Sequence, residues 1–190
     1  MNDILKIGLI GSAGIGKSSV AAGLSKKLDL IFLKSKDITR PIIKKYNYDY
    51  TNGEYIEKFL SKKDIEFEIV DTRTYQESLL TGGFITDRTT LECFAYALLS
   101  VEKYADDEIT MLERVCRENM KNYTHIFYFP SQNGWLEDNG IRTVNSFFQW
   151  KIDLIIRGLI DDWDIKAIIV NSDNPIEFIK GKLDNEFGNM

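Results

Sequence analysis

The sequence predicts a three-layer α/β/α domain around a five-stranded parallel sheet. Three observations carry that expectation. Five short apolar, β-prone runs are spread along the chain, helical stripes fill the intervals between them, and a glycine-rich turn joins the first run to the first helix.

The elements follow in order. Residues 4–10, Ile-Leu-Lys-Ile-Gly-Leu-Ile, suit a strand buried on both faces. Gly11 to Gly16 break it, and from Lys17 the period becomes helical, with Val20, Leu24 and Leu28 four apart. Ile31 to Leu33 form a second strand, followed by Asp37 to Arg40 as a loop, with Pro41 opening the next helix. Between Tyr46 and Leu80, Ile56, Phe59 and Leu60 suggest a short helix after the turn Asn52-Gly53. Ile65, Phe67 and Ile69 alternate as a strand would, yet Ile65, Ile69 and Thr72 also form a helical stripe running through Gln76 to Leu80. Helix is the reading chosen, because a strand there would interrupt the β-α alternation.

Gly82-Gly83 mark a turn before the third strand, Phe84 to Thr86, which ends at Asp87-Arg88. Thr89-Thr90-Leu91-Glu92 is a capping-box pattern ahead of an apolar run to Leu99. Ile109, Leu112, Cys116 and Met120 stripe a further helix, and Ile126 to Phe129 form a fourth strand stopped by Pro130. Residues 131–145 are polar and aperiodic. A long stripe from Phe148 to Trp163 follows, then Ile168 to Val170 as the fifth strand, and a last helix opened by Pro175.

Composition narrows the function classes. The 190 residues are 44% hydrophobic, 12% aromatic and 28% charged, which excludes disordered, collagen-like and coiled-coil chains. The net charge of −5 disfavours a general nucleic-acid binder, whose phosphate affinity rests on clustered Lys and Arg. Cys93 and Cys116 sit in apolar helical contexts without metal-ligand spacing, so both read as buried thiols. No apolar run is long enough to span a bilayer, and Met1-Asn2-Asp3 lacks the basic flank of a signal peptide. The expectation is one cytoplasmic domain over residues 1–190 with no membrane partner.

Gly11-Ser12-Ala13-Gly14-Ile15-Gly16-Lys17-Ser18 matches G-x-x-x-x-G-K-[ST] in full, between a strand and a helix, where the motif belongs. Its glycines let backbone N–H groups wrap an anion, and the helix start adds its dipole. Gly11 to Ser19 are therefore expected to hold ATP. Lys17 would reach the β- and γ-phosphates and Ser18 would ligate Mg²⁺. No N-K-x-D guanine-reading motif is present, Asn171-Ser172-Asp173-Asn174 included, and the length leaves no room for the appended domain of a AAA+ ATPase. Kinase chemistry is favoured.

Further candidates lie at strand ends. Asp87 can hold Mg²⁺ or accept a proton, while Arg88 can grip a phosphate or the acceptor. Asp37, at the end of the second strand, is the other candidate base, with Arg40 nearby as an acceptor contact. Arg142, in Asp138-Asn139-Gly140-Ile141-Arg142, can close over the phosphates. Arg73, Tyr75 and Gln76 could grip and stack an acceptor. His125 reads as structural or exposed. Trp150 and Trp163 read as packing residues, with Trp135 on the loop as an exception.

These residues resemble the small P-loop kinases of the nucleoside and nucleotide kinase group. The narrower resemblance is to AAA-like members that include the ribosylnicotinamide kinase domain and many phage-encoded proteins. It is carried by Gly11 to Ser18, by Phe84 to Arg88 followed by Ala95-Tyr96-Ala97, and by Asp138 to Arg142. The resemblance implies a P-loop NTPase fold with strand order 2-3-1-4-5 and a lid over about 131–146. It also implies ATP-Mg²⁺ handling by Lys17 and Ser18, phosphoryl transfer at Asp87-Arg88, and Arg142 in the lid. Thr89 stands where these kinases usually have Ser, and Asp37-Ile38-Thr39-Arg40 replaces the Glu-Pro many nucleoside kinases carry after strand two. The expected reaction is transfer of the γ-phosphoryl of ATP to a nucleoside- or nucleotide-type acceptor. The alternatives are phosphorylation of a hydroxymethyl-pyrimidine in DNA, disfavoured by net charge, and hydrolysis without an acceptor. A homodimer is left open.

Overall fold

The computed structural model describes residues 4–46, 63–131 and 146–187. Five strands, β1 (Lys6–Ile10), β2 (Ile31–Leu33), β3 (Phe84–Thr86), β4 (His125–Tyr128) and β5 (Ala167–Ile169), form one sheet in the order β2-β3-β1-β4-β5. Every neighbouring pair is parallel, with Ile7 beside both Ile85 and His125. Seven α-helices are described: α1 (Lys17–Leu28), α2 (Ser35–Lys45), α3 (Lys63–Ser78), α4 (Thr90–Ala97), α5 (Asp106–Met120), α6 (Ser146–Asp162) and α7 (Pro175–Phe187). None is long and apolar enough to cross a membrane.

The alternation of side chains along each strand divides the core in two. On one face Ile7, Leu9, Ile85 and Phe127 pack against Val20, Ala21 and Leu24 of α1 and Ile179 and Leu183 of α7. On the other, Ile10, Phe84, Ile126 and Tyr128 meet α2 to α6 through residues such as Ile38, Ile69, Leu112 and Ile156. Phe94 of α4 stacks on Trp163 at 5.6 Å between ring centroids, joining α4 to the end of α6. Both cysteines are buried free thiols; burial pushes Cys93 up to about 11 and Cys116 well above its ordinary value. They are packing residues, as expected.

The expected strand and helix positions hold to within a residue or two, and Lys63–Ser78 is a helix. One boundary is corrected. The expected loop at Asp37 to Arg40 is helical, since α2 starts at Ser35 and carries Pro41 in its interior. Proline there costs about 3 kcal/mol against a normal helix residue. The stripe Ile38, Ile42 and Ile43, at most 6% exposed, offsets it through burial worth about 2 kcal/mol per side chain. The expected short helix near residues 56–60, the turn at Asn52-Gly53 and, apart from their two end residues, the 131–146 lid lie outside the described residues.

Candidate active site

The glycine-rich loop leaves β1 with three glycines at positive φ: Gly11 at 141°, Gly14 at 89° and Gly16 at 85°. Gly11 is required by close approach as well. A Cβ there would stand 2.4 Å from the Phe129 carbonyl oxygen. Gly16 is the N-cap of α1 and brings no side-chain cap, so the first N–H groups of that helix keep their capacity for a ligand.

Lys17 is 8% exposed and turned back on its own loop. Its Nζ donates to the Gly11 carbonyl and, at 2.7 Å, to the Ser12 carbonyl; Glu92 Oε1 lies 3.4 Å away. Burial pulls the lysine's pKa down, and the Glu92 charge opposes that shift. Ser12 Oγ is buried and has no hydrogen-bond partner among the described residues.

Asp87 closes β3 and ties three segments together. Its Oδ2 accepts from Ser18 Oγ at the start of α1, and its Oδ1 accepts from the Ser35 backbone N–H at 2.8 Å, at the start of α2. Two residues on from Asp87, Thr89 lies close against β1 at Gly8, where a Cβ would meet Thr89 Cγ2 at 2.8 Å. Thr89 and Glu92 form the expected capping box of α4: the Thr89 N–H donates to Glu92 Oε2 at 2.7 Å. A hydroxyl and a carboxylate in contact beside a phosphate-type loop are a hard-oxygen pair, and they fit Mg²⁺. Among the described residues no group of three or more His, Cys, Asp or Glu could hold a metal unaided.

The Arg88 guanidinium lies 4.4 Å above the Tyr96 ring, a cation–π contact that holds it flat. Its carbonyl accepts from Arg73 Nη1 at 2.6 Å, and Arg73 Nη1 also reaches Thr86 Oγ1 at 3.0 Å. Arg73 is fully buried and 3.6 Å from Glu77, whose carboxylate accepts from Asn119 and Tyr123. The expected trio is therefore split. Arg73 faces inward as a strut beneath Arg88, Tyr75 on the same helix is 64% exposed, and Gln76 is half-buried. Asp37 and Arg40 are exposed on α2, with Asp37 in its first turn. Arg142 and Trp135 lie outside the described residues. Trp163 is packed in the core, whereas Trp150 is 53% exposed and is not a core residue. His125 has a partner the sequence did not suggest, with Nε2 2.7 Å from Glu186 Oε2.

Two features escaped the sequence reading. Glu66 of α3 is 5% exposed, and its Oε1 has no hydrogen-bond partner among the described residues. Burial pushes it up to about 7 against the pull of Arg88. Its signal was a charged residue within the apolar stripe of α3. The second is a cavity of about 530 Å³ between the loop and the segment after β5, lined by Gly14, Ile15, Gly16, Phe129, Pro130, Asn171 and Asp173 among others. It lies beyond the carboxyl ends of the strands, where sheets of this topology bind ligands.

The AAA domain family matches residues 6–177 of this sequence. The chain belongs to that family. No curated protein matches this AAA domain in sequence. Among solved structures it is similar to deoxyadenosine kinase from M. mycoides with dCMP and dCDP bound, at a TM-score of 0.66 and 19% identity, covering 95% of this chain and 99% of that one. It is similar to the NadR protein in complex with NR at a TM-score of 0.63 and 13% identity, over 90% of this chain but 45% of the NadR chain. The present chain thus spans less than half the length of that relative. Shikimate kinase from Acinetobacter baumannii with shikimate matches at a TM-score of 0.55 and 16% identity, over 98% and 95% of the two chains. At these identities the likeness establishes the shared P-loop α/β fold.

Proposed function

We propose that this AAA domain is an ATP- and Mg²⁺-dependent kinase that moves the γ-phosphoryl group of ATP to a nucleoside- or nucleotide-type acceptor. The observation that carries the reading is the convergence of Lys17, the Ser18–Asp87 pair and Arg88 beyond the carboxyl ends of the neighbouring strands β1 and β3. A hydrolytic switch needs the first three; a fixed guanidinium beside them suits a second, phosphoryl-accepting substrate. The kinase folds similar in structure support it.

In this reading Gly11 to Ser19 wrap the phosphates, and Lys17 turns from its loop carbonyls to the β- and γ-phosphates. Adenine would enter the cavity flanked by Ile15, Pro130 and Asn171. Ser18 and Asp87 would hold Mg²⁺, which supplies neutralisation of phosphate charge when bound. An acceptor oxygen attacks the γ-phosphorus, the bond to the β-bridging oxygen breaks, and ADP leaves. With both Asp87 oxygens engaged, Asp37 is assigned the acceptor proton. Arg88 steadies the transferring group, with Arg40 and Gln76 toward the acceptor, and Arg142 is assigned to the 131–146 lid.

The test is transfer from γ-labelled ATP with Mg²⁺ to a panel of nucleosides, nucleoside monophosphates, nicotinamide riboside and DNA with or without hydroxymethylated pyrimidines. Label on one small acceptor, lost at least 100-fold in Lys17→Ala, is the expected outcome. Label on DNA alone redirects the reading to a polymer acceptor. Steady hydrolysis that no acceptor changes, with no labelled product, overturns it.

A further inference from the structure

Lys17 and Glu92 come from separate segments, one at the end of the glycine-rich loop and one on α4, and both are nearly sealed from water at 8% and 1% exposure. Glu92 uses its two oxygens differently. Oε2 accepts the Thr89 N–H at 2.7 Å and the Thr89 hydroxyl at 3.2 Å, which closes the capping box. A capping box needs no more than that. Oε1 instead stands 3.4 Å from Lys17 Nζ, while that ammonium also donates to the Gly11 and Ser12 carbonyls. The loop that must receive a polyanion therefore has its cation occupied, by two of its own carbonyls and by a buried carboxylate. Among the described residues, Arg88 and Asp87 also act on this lysine's charge.

We propose that Glu92 is a positioning residue, the counter-ion that holds Lys17 folded back on its own loop and that an incoming triphosphate must displace. The inference rests on the nucleotide-binding reading of the loop. A buried carboxylate opposes anion entry twice, by competing for the ammonium and by its own negative charge in a medium that screens poorly. It also links the loop to α4, so occupation of the loop is felt at the Asp87-Arg88 turn that α4 follows. The pair costs affinity and in exchange keeps the ammonium from standing alone in a dry site.

The experiment is calorimetric titration of the full chain with ATP·Mg²⁺ and with inorganic tripolyphosphate, using wild type, Glu92→Gln, Lys17→Met and the double variant. The glutamine oxygen can still accept from Thr89 N–H, so the capping box survives. Glu92→Gln is expected to bind both probes about five times more tightly, and the gain is expected to shrink below twofold in the Lys17→Met background. Unchanged or weaker binding by Glu92→Gln overturns the proposal, because a purely structural residue confers no gain when removed. If wild type binds neither probe, the nucleotide-binding reading itself fails. A second measurement needs no nucleotide. Lys17→Met strands Glu92 without its partner and should melt about 5 °C below wild type, and adding Glu92→Gln should recover most of that loss. A double variant that melts no higher than Lys17→Met would show that the two residues are not paired.

Discussion

A carboxyl group at 5% exposure with one oxygen unpaired, as at Glu66, holds its proton longer than one in water. Its folded value of about 7 lies above the ordinary 4.5, with burial as the cause and only Arg88 opposing it. Between those two values the native chain keeps a proton that the unfolded chain has released. Stability therefore falls as pH rises through that window, and the penalty is complete above pH 7. A difference of this size corresponds to about 3 kcal/mol. Glu66→Gln removes the titration and should gain about that much on wild type between pH 5 and pH 8, read from urea midpoints at the two values. Parallel loss by both proteins would show that Glu66 ionises normally. Glu66, together with Tyr104, Cys93 and Cys116, whose pKa values it helps raise, belongs to a dry region beside Arg88. Of these residues, Glu66 is one that sequence reasoning passed over.

At the scale of elements, the junction between β1 and α1 is the most constrained stretch of backbone. Gly11 combines a φ of 141° with the 2.4 Å approach that a Cβ would make to the Phe129 carbonyl. Gly11→Ala should therefore lose about 3 kcal/mol of stability and nucleotide binding together. Chemical denaturation within 0.5 kcal/mol of wild type would mean that the loop turns in another way. The same motif made its own conformation legible, since glycine is the residue that adopts such angles without strain. Element α2 shows the converse. Pro41 is an opening signal taken alone, yet three buried isoleucines extend the helix back to Ser35. Local preference was outweighed by tertiary burial, and Asp37 moved from a loop to a helical first turn as a result.

For the whole molecule, the site joins segments from separate parts of the chain. Ser18, Ser35 and Asp87 meet although they are up to 69 residues apart in sequence, so anything that binds there acts on global stability. With ATP·Mg²⁺ at 100 times its dissociation constant, linkage gives about 2.7 kcal/mol. For a chain of this length that is a rise of about 8 °C in melting temperature. Thermal melts with and without the ligand check it, and the shift should shrink in Lys17→Ala at the same ligand concentration. A rise of the same size in that variant would place the nucleotide elsewhere.

By itself the sequence determined the strand and helix alternation, the glycine-rich loop, the capping box of α4 and the Asp87-Arg88 pair at a strand end. Each depends on periodicity or on a conformation that few residue types permit, and both are written in neighbouring residues. Only the tertiary structure decided what those side chains face. Arg73 became a strut because its helix turned it toward Thr86 and the Arg88 carbonyl, while Tyr75 two residues on was turned to solvent. Glu92 became a partner of Lys17 because Thr89, the N-cap of α4, lies against β1 at Gly8, where a side chain would intervene. Burial and charge pairing are properties of what the fold brings together, and residues 75 positions apart carry no local mark of it.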